Sequence, residues 1–487
     1  MPVKMGRFLF VALGAMIAGP GLAPAADPAG DGPVKAYGSL RSRVELWDWF
    51  DGAANDSYPY SGSVLRLGLQ QQGRTVDWNI EVAAPVLAGL PDDATARPPQ
   101  GGLGLGATCY TANQRSRNAA MAFPKQAWIR LRGAGGARGH SLRLGRFEFS
   151  DGGEAKPENP TLAALKTARV EQRLIGPFGF SHVGRSFDGF DYRFAAPNGT
   201  YALVGAFPTR GVFQVDGWGF LKTGFAYGSW TRPVKYDGNA GELRLFGIYY
   251  HDWRALLKSD NRPVAVRALD RGNVRIGSFG GHYIHAQETA GGTADLLVWG
   301  VAQTGRWGEQ DHRAGAAAAE AGFQPEGLPA LRPWLRGGFF WSSGDDDPAD
   351  GRHGTFFQLL PTPRIYARFP FFNLMNLQDC FGELVLRPGQ RVTMRTDVHA
   401  LRLSSREDLW YAGGGPFNPW VFGFAGRPSG GSRGLATLYD VSVDIKAASR
   451  VSIAGYYGYA NGKSVMAAIY PDGKNAQFGY LELALRF

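Results

Sequence analysis

Ten basic residues fall on the polar side of segments that alternate between apolar and polar positions: Arg41, Arg43, Arg66, Arg130, Arg143, Arg193, Arg332, Arg336, Arg395 and Lys446. A guanidinium group keeps its charge at any physiological pH and grips a carboxylate or phosphate as a fixed fork. A series of them along one surface concentrates anions and passes them from site to site. The same segments carry Glu45, Asp77, Glu81, Asp191, Asp397 and Asp444. An ion-paired polar filling is therefore the competing reading of both sets. The formal net charge of +10, with Arg outnumbering Lys nearly four to one, favours an anionic partner.

Other groupings carry less chemistry. Asp397 and His399 share one face of a strand, but no serine motif of the G-x-S-x-G type and no H-E-x-x-H metal motif accompanies them, so the chain reads as a non-enzyme. Asp345, Asp346, Asp347 and Asp350 lack the closing Glu of an EF-hand loop and read as a solvated acidic loop. The glycines of Gly102 to Gly106 lie in a loop rather than between a strand and a helix, which excludes a dinucleotide site. Two cysteines, Cys109 and Cys380, are too few for a disulfide scaffold and lack metal-like spacing. They could bridge only with their Cα atoms within about 7 Å, and otherwise stay free. Neither a cofactor nor a metal is called for, and no nucleic-acid module or basic tract is present.

The elements that must position the arginines are short strands. In Thr75 to Ala84 the residues Val76, Trp78, Ile80, Val82 and Ala84 alternate with Asp77, Asn79 and Glu81. Similar alternation recurs over eighteen segments from Lys35–Trp47 to Ala476–Phe487, the weakest being Gly219–Thr231. Long connections and short ones then alternate. Pro85 to Pro124, Phe149 to Ser186, Ser342 to Asp379 and Leu403 to Ala436 lie on one side, and turns such as QQGR, PNG, RPGQ and AAS on the other. The Phe149–Ser186 connection contains a short helix starting near Pro160, placed to enter or cap the interior.

This pattern predicts an all-β fold: one 18-stranded antiparallel transmembrane β-barrel over 26–487, with long extracellular loops and short periplasmic turns. Lys4 and Arg7, an apolar run from Phe8 and the small-x-small site Ala23-Pro24-Ala25 read as an export signal over 1–25. No later run of 18 apolar residues exists, which excludes membrane-spanning helices. The mean hydropathy of -0.21 suits strands with one face to lipid and one to water. The last strand, AQFGYLELALRF, resembles the closing strand of bacterial outer-membrane barrels, where it is read by the assembly machinery. The expected location is the bacterial outer membrane, in contact with its lipid and lipopolysaccharide.

Four segments resemble the alginate-export family of outer-membrane barrels: Leu142–Gly153, Arg185–Phe194, Leu296–Gly308 and Arg332–Phe369. The likeness runs from about Val34 to the end. It implies an 18-stranded, Arg-lined conduit for an anionic polysaccharide or oligosaccharide, with Arg143, Arg146, Arg364 and Arg368 at matching positions. A selective porin for small organic anions is the alternative. One departure is the AAS link at Ala447–Ser449, where the alginate exporter carries a long periplasmic plug.

Overall fold

A computed structural model describes residues 32–133, 138–236, 239–362 and 368–487. The expected export signal and Arg364 lie outside the described residues. The long strands are β1 (Lys35–Asp48), β2 (Ser57–Gln72), β3 (Val76–Ala88), β4 (Phe123–Arg132), β5 (His140–Phe147), β6 (Phe187–Ala196), β7 (Gly199–Pro208), β8 (Thr223–Tyr236) and β9 (Asn239–Asp252). They continue as β10 (Val274–Thr289), β11 (Gly292–Trp307), β12 (Gln310–Pro325), β13 (Trp334–Ser342), β14 (Leu377–Leu386), β15 (Val392–Leu403), β16 (Gly434–Ala448), β17 (Val451–Gly462) and β18 (Asn475–Arg486). Each pairs antiparallel with its sequence neighbours, and β18 pairs back onto β1, from Ser39 opposite Arg486 to Asp48 opposite Gln477. The sheet is closed, which removes its edges.

All eighteen expected strands are present. The eighth starts at Thr223 rather than Gly219, because the preceding residues form a separate bridge between Thr209 and Phe220. Beyond the expected ends, β11 and β12 extend toward each other, so their link shrinks to Gly308 and Glu309. Gly308 sits at φ +61°, and a Cβ there would lie 2.2 Å from the Asp270 carboxylate, so the turn needs glycine.

The two faces of the wall are unlike. Val44, Leu46, Leu67, Leu69, Ile80 and Val82 point outward and are exposed, while their neighbours Arg43, Glu45, Asp77 and Glu81 point inward and are buried. An apolar outside around a polar inside is the pattern of a barrel that sits in lipid. No described helix is long and apolar enough to cross a membrane.

Much of the interior is filled from the long-loop rim. In the loop of residues 148–186, helix α2 (Pro160–Arg169) starts where the sequence placed it. Asn159 Oδ1 accepts the Leu162 N–H at 3.0 Å, and Pro160 occupies the first turn, where its missing donor costs nothing. This loop pairs with the loop of residues 343–376: Gly176 N–H donates to Leu360 O and Leu360 N–H to Leu174 O, both at 2.9 Å. Arg185 ties it to the loop of residues 404–433 by donating to Gly414 O at 2.6 Å. Beneath them Trp47 stacks on Phe478 at 4.1 Å, with Phe369 packed edge-on. Gly62 lets the loop seat against the wall, since a Cβ there would come within 2.4 Å of the His182 ring.

Candidate functional site: a charged lumen

Alternation decides which charges meet inside. On β1 to β6 the inward cations are Arg41, Arg43, Arg66, Lys125, Arg130, Arg132, Arg143 and Arg193, against Glu45, Asp77, Glu81 and Asp191. Glu148 and Glu482 reach in from the neighbouring loop and β18. Arg43 lies 2.6 Å from Glu482 and 3.1 Å from Glu45. Arg66 lies 2.5 Å from Glu81 and 3.2 Å from Glu148. Arg132 is 2.9 Å from Asp77, and Arg130 is 3.8 Å from it. Arg143 and Arg193 share Asp191 at 2.5 and 3.0 Å. The ion-paired reading therefore holds for each cation taken singly, yet this wall carries more cations than carboxylates. Arg66, Arg130, Arg132 and Arg193 keep part of their surface open.

Two members of this set were not singled out from the sequence. Arg132 shares the parity of Arg130, and that was the available signal. Lys125 has the parity of the outward Ala127 and Ile129. It turns inward because it is the extra residue of a register shift, with Gln126 opposite Glu81 and Pro124 opposite Val82. Its ammonium donates to Val183 O at 3.0 Å.

The three described family-matching arginines do not gather in one section. Arg143 faces inward, stacked over Phe147 at 4.3 Å. Arg146 does not: it has the parity of the exposed Leu144 and lies opposite Ala127 and Asp188 on the outer wall. There it chelates Asp188 with two 2.7 Å bonds beneath Trp218. Arg368 comes from the inward loop to within 3.6 Å of Asp444 on β16, far around the ring from Arg143. Arg332 is also displaced from the lumen; it sits in the β12–β13 turn at φ +41° and donates to Arg387 O at 3.2 Å. Lys446 is exposed at the short-turn end of β16.

The wall of β13 to β16 has the opposite balance. Arg336 and Arg395 face inward, but so do Asp379, Glu383, Asp397, Asp440 and Asp444. Arg395 lies 2.8 Å from Glu383 and 2.7 Å from Asp397. Arg336 pairs with Asp295 and, at 3.4 Å, with Glu320. The lumen thus has a cation-rich wall and an acid-rich wall.

The inward loops are docked by charge. Arg169 donates to both oxygens of Glu320, at 2.8 and 3.2 Å, and Arg173 lies 3.6 Å from it. Lys166 meets Glu242 at 2.6 Å. Burial pulls Arg173 down to about 9 despite Glu320. Burial pushes Asp151 up to about 6. Burial also works to raise Glu148, but Arg66 and Lys125 outweigh it and hold that carboxyl below its ordinary value. Farther out, Asp345 and Asp408 sit together, with the Asp345 N–H donating to Asp408 Oδ2 at 3.0 Å. Burial first, then the Asp408 charge, lifts Asp345 to about 7, and burial lifts Asp408 to about 6.

Both cysteines are free. Cys109, on helix α1 (Leu105–Ala112), is buried in the inner cluster, whereas Cys380 is exposed on the outward face of β14.

A family described as alginate export matches residues 92–462 of this chain. The chain belongs to that family. As an alginate-export barrel it shares its fold with solved outer-membrane channels at low identity. Pseudomonas aeruginosa OccK9 (OpdG) superposes with a TM-score of 0.56 at 11% identity, over 93% of this chain and 98% of that one. Acinetobacter baumannii OccAB2 gives 0.55 at 9%, over 93% and 98%. P. aeruginosa OccK2 (OpdF), solved with glucuronate, gives 0.54 at 9%, over 94% and 98%. No curated protein matches the chain. This alginate-export family member is an outer-membrane channel in the bacterial outer membrane.

Proposed function

We propose that the channel passes carboxylated sugars and organic acids of uronate type, using the cation-rich wall of β1 to β6 as its track. The observation that carries this reading is the excess of inward cations on that wall, four of which keep open surface. A carboxylate entering beside Arg66, Arg130, Arg132 or Arg193 meets forks already held in place by Glu81, Asp77 and Asp191. Binding then costs little ordering, and the competing carboxylates keep it weak enough for release. The glucuronate held by OccK2 belongs to this class. Two inward loops joined to each other favour single residues and short oligomers. The family description favours a longer anionic polysaccharide. Strand β18 is assigned as the element that the barrel-assembly machinery reads.

The test is a salt-gradient reversal potential in planar bilayers. Replacing Arg66, Arg130, Arg132 and Arg193 together by Gln is expected to lower the anion-to-cation permeability ratio several-fold, while Arg146→Gln leaves it unchanged. An unaltered ratio in the quadruple variant overturns the reading. Vesicle uptake of glucuronate against long alginate chains separates the two substrate sizes.

A further inference from the structure

One cluster on the acid-rich wall is not explained by passage of anions. Glu383, Asp397 and Asp440 stand directly opposite one another across β14, β15 and β16. Like charges in that register repel. Arg395 serves Glu383 and Asp397, and Asp379 takes His399. Asp440 receives the Tyr456 hydroxyl and, at 3.1 Å, the Arg368 backbone N–H, but forms no ion pair among the described residues. All four carboxylates are buried.

One ring nitrogen of His399 and one oxygen each of Asp397 and Asp440 lie within 4.8 Å of one another. His399 Nδ1 is engaged by Asp379 Oδ2 at 2.8 Å, and Nε2 is buried without a hydrogen-bond partner. A carboxylate on one imidazole nitrogen orients the ring, fixes its proton there and leaves the other nitrogen as a lone-pair donor, the usual outer-shell support of a metal-binding histidine. Donors about 2.1 Å from a common ion stand about 3 to 4 Å apart, so small side-chain shifts would close this trio. Asp397 Oδ1 accepts from Arg395 Nε at 3.1 Å and retains a second lone pair, and Oδ2 meets Arg395 Nη2 only as an ion pair.

We propose that Asp397, His399 and Asp440 bind one divalent first-row transition-metal cation, of the Zn2+ or Co2+ type, inside the barrel. Mixed imidazole and carboxylate donors suit such ions better than Mg2+ or Ca2+, which take all-oxygen shells. The ion separates the facing carboxylates and uses the orphaned imidazole nitrogen. It also cancels the two negative charges of Asp397 and Asp440, so its occupancy sets how much that wall opposes anions.

The test uses the full folded barrel in detergent, stripped with chelator and titrated with Co2+. The unmutated protein is expected to take up one equivalent with a visible d–d absorption band. Asp440→Asn and His399→Gln should each weaken binding at least tenfold, and Asp311→Asn, on the outer surface, should not. Heat-modifiable gel mobility confirms that each variant is folded. X-ray absorption on the Zn2+-loaded unmutated barrel gives an answer independent of any variant, with one imidazole and oxygen donors expected. Absence of saturable binding, equal affinity in the folded Asp440→Asn and His399→Gln variants, or a shell without imidazole overturns the proposal.

Discussion

Glu320→Gln is the most informative single change to the channel's interior. Glu320 projects from β12 and receives Arg169 at 2.8 and 3.2 Å, with Arg336 at 3.4 Å and Arg173 at 3.6 Å. Arg169 and Arg173 belong to the inward loop, and all four side chains are buried. Removing one partner of a buried ion pair costs about 3 to 5 kcal/mol, because the remaining charge loses its compensation. Gln keeps one acceptor oxygen, and Asp295 still holds Arg336, so about 3 kcal/mol is expected. The loss falls on loop docking rather than on the wall, whose backbone ladder is untouched. An undocking equilibrium shifted by that much is favoured about 100-fold. Single-channel records should show more frequent transitions to higher conductance, and trypsin applied from the loop side should cut within residues 148–186. Adding Arg169→Met, which removes one stranded cation, should recover part of the docking. A barrel with unchanged noise and unchanged cleavage would show that Glu320 does not hold the loop.

Three further outcomes follow from named contacts. Asp345 and Asp408 titrate above the ordinary carboxylate range when the loops are packed, so the packed state binds more protons than the open one. Stability of that packing is fully present at low pH and falls as pH rises from about 4 through about 7; protection factors in residues 343–362, corrected for the intrinsic pH dependence of amide exchange, should be lower at pH 8 than at pH 5, and Asp345→Asn should flatten the difference. A membrane-permeant maleimide should label Cys380 and spare Cys109 in the folded barrel, with no mobility change between reducing and non-reducing gels; labelling of Cys109 would contradict its burial. Phe478→Ala removes a fully buried ring stacked on Trp47 and should cost about 3 to 5 kcal/mol, read as a lower urea midpoint for loss of the heat-modifiable band.

Strand count and topology were legible because a wall between lipid and water forces a two-residue period on every crossing, as in Val76 to Glu81. Where that period breaks, legibility stops. Arg146 is not such a break: it keeps the parity of the outward Leu144, and only the family resemblance put it in the conduit. Lys125 needed a register shift that only its partner strand reveals. The helix was readable from Pro160 at its start, but not its docking, since Arg169 and Glu320 meet across a long chain separation. The trio of Asp397, His399 and Asp440 was half visible: two members share a strand, and the third comes from the next one with no spacing signal.

The seam between β1 and β18 has a bearing on how the molecule is made. Arg43 and Glu482, bonded across it, are 439 residues apart. Bringing such distant points together costs about 5 kcal/mol of chain entropy. Until they meet, β1 and β18 offer unpaired backbone edges that invite wrong partners. Arg43 would wait with Glu45 alone, and Trp47 without Phe478. At Gly38 a Cβ would fall 2.2 Å from the Phe487 ring, so the strands reach their final approach only with that aromatic seated against bare backbone. Half-closed forms keep few of these gains, so closure of the seam is expected to be a single cooperative step, with little to hold the two edges together before it.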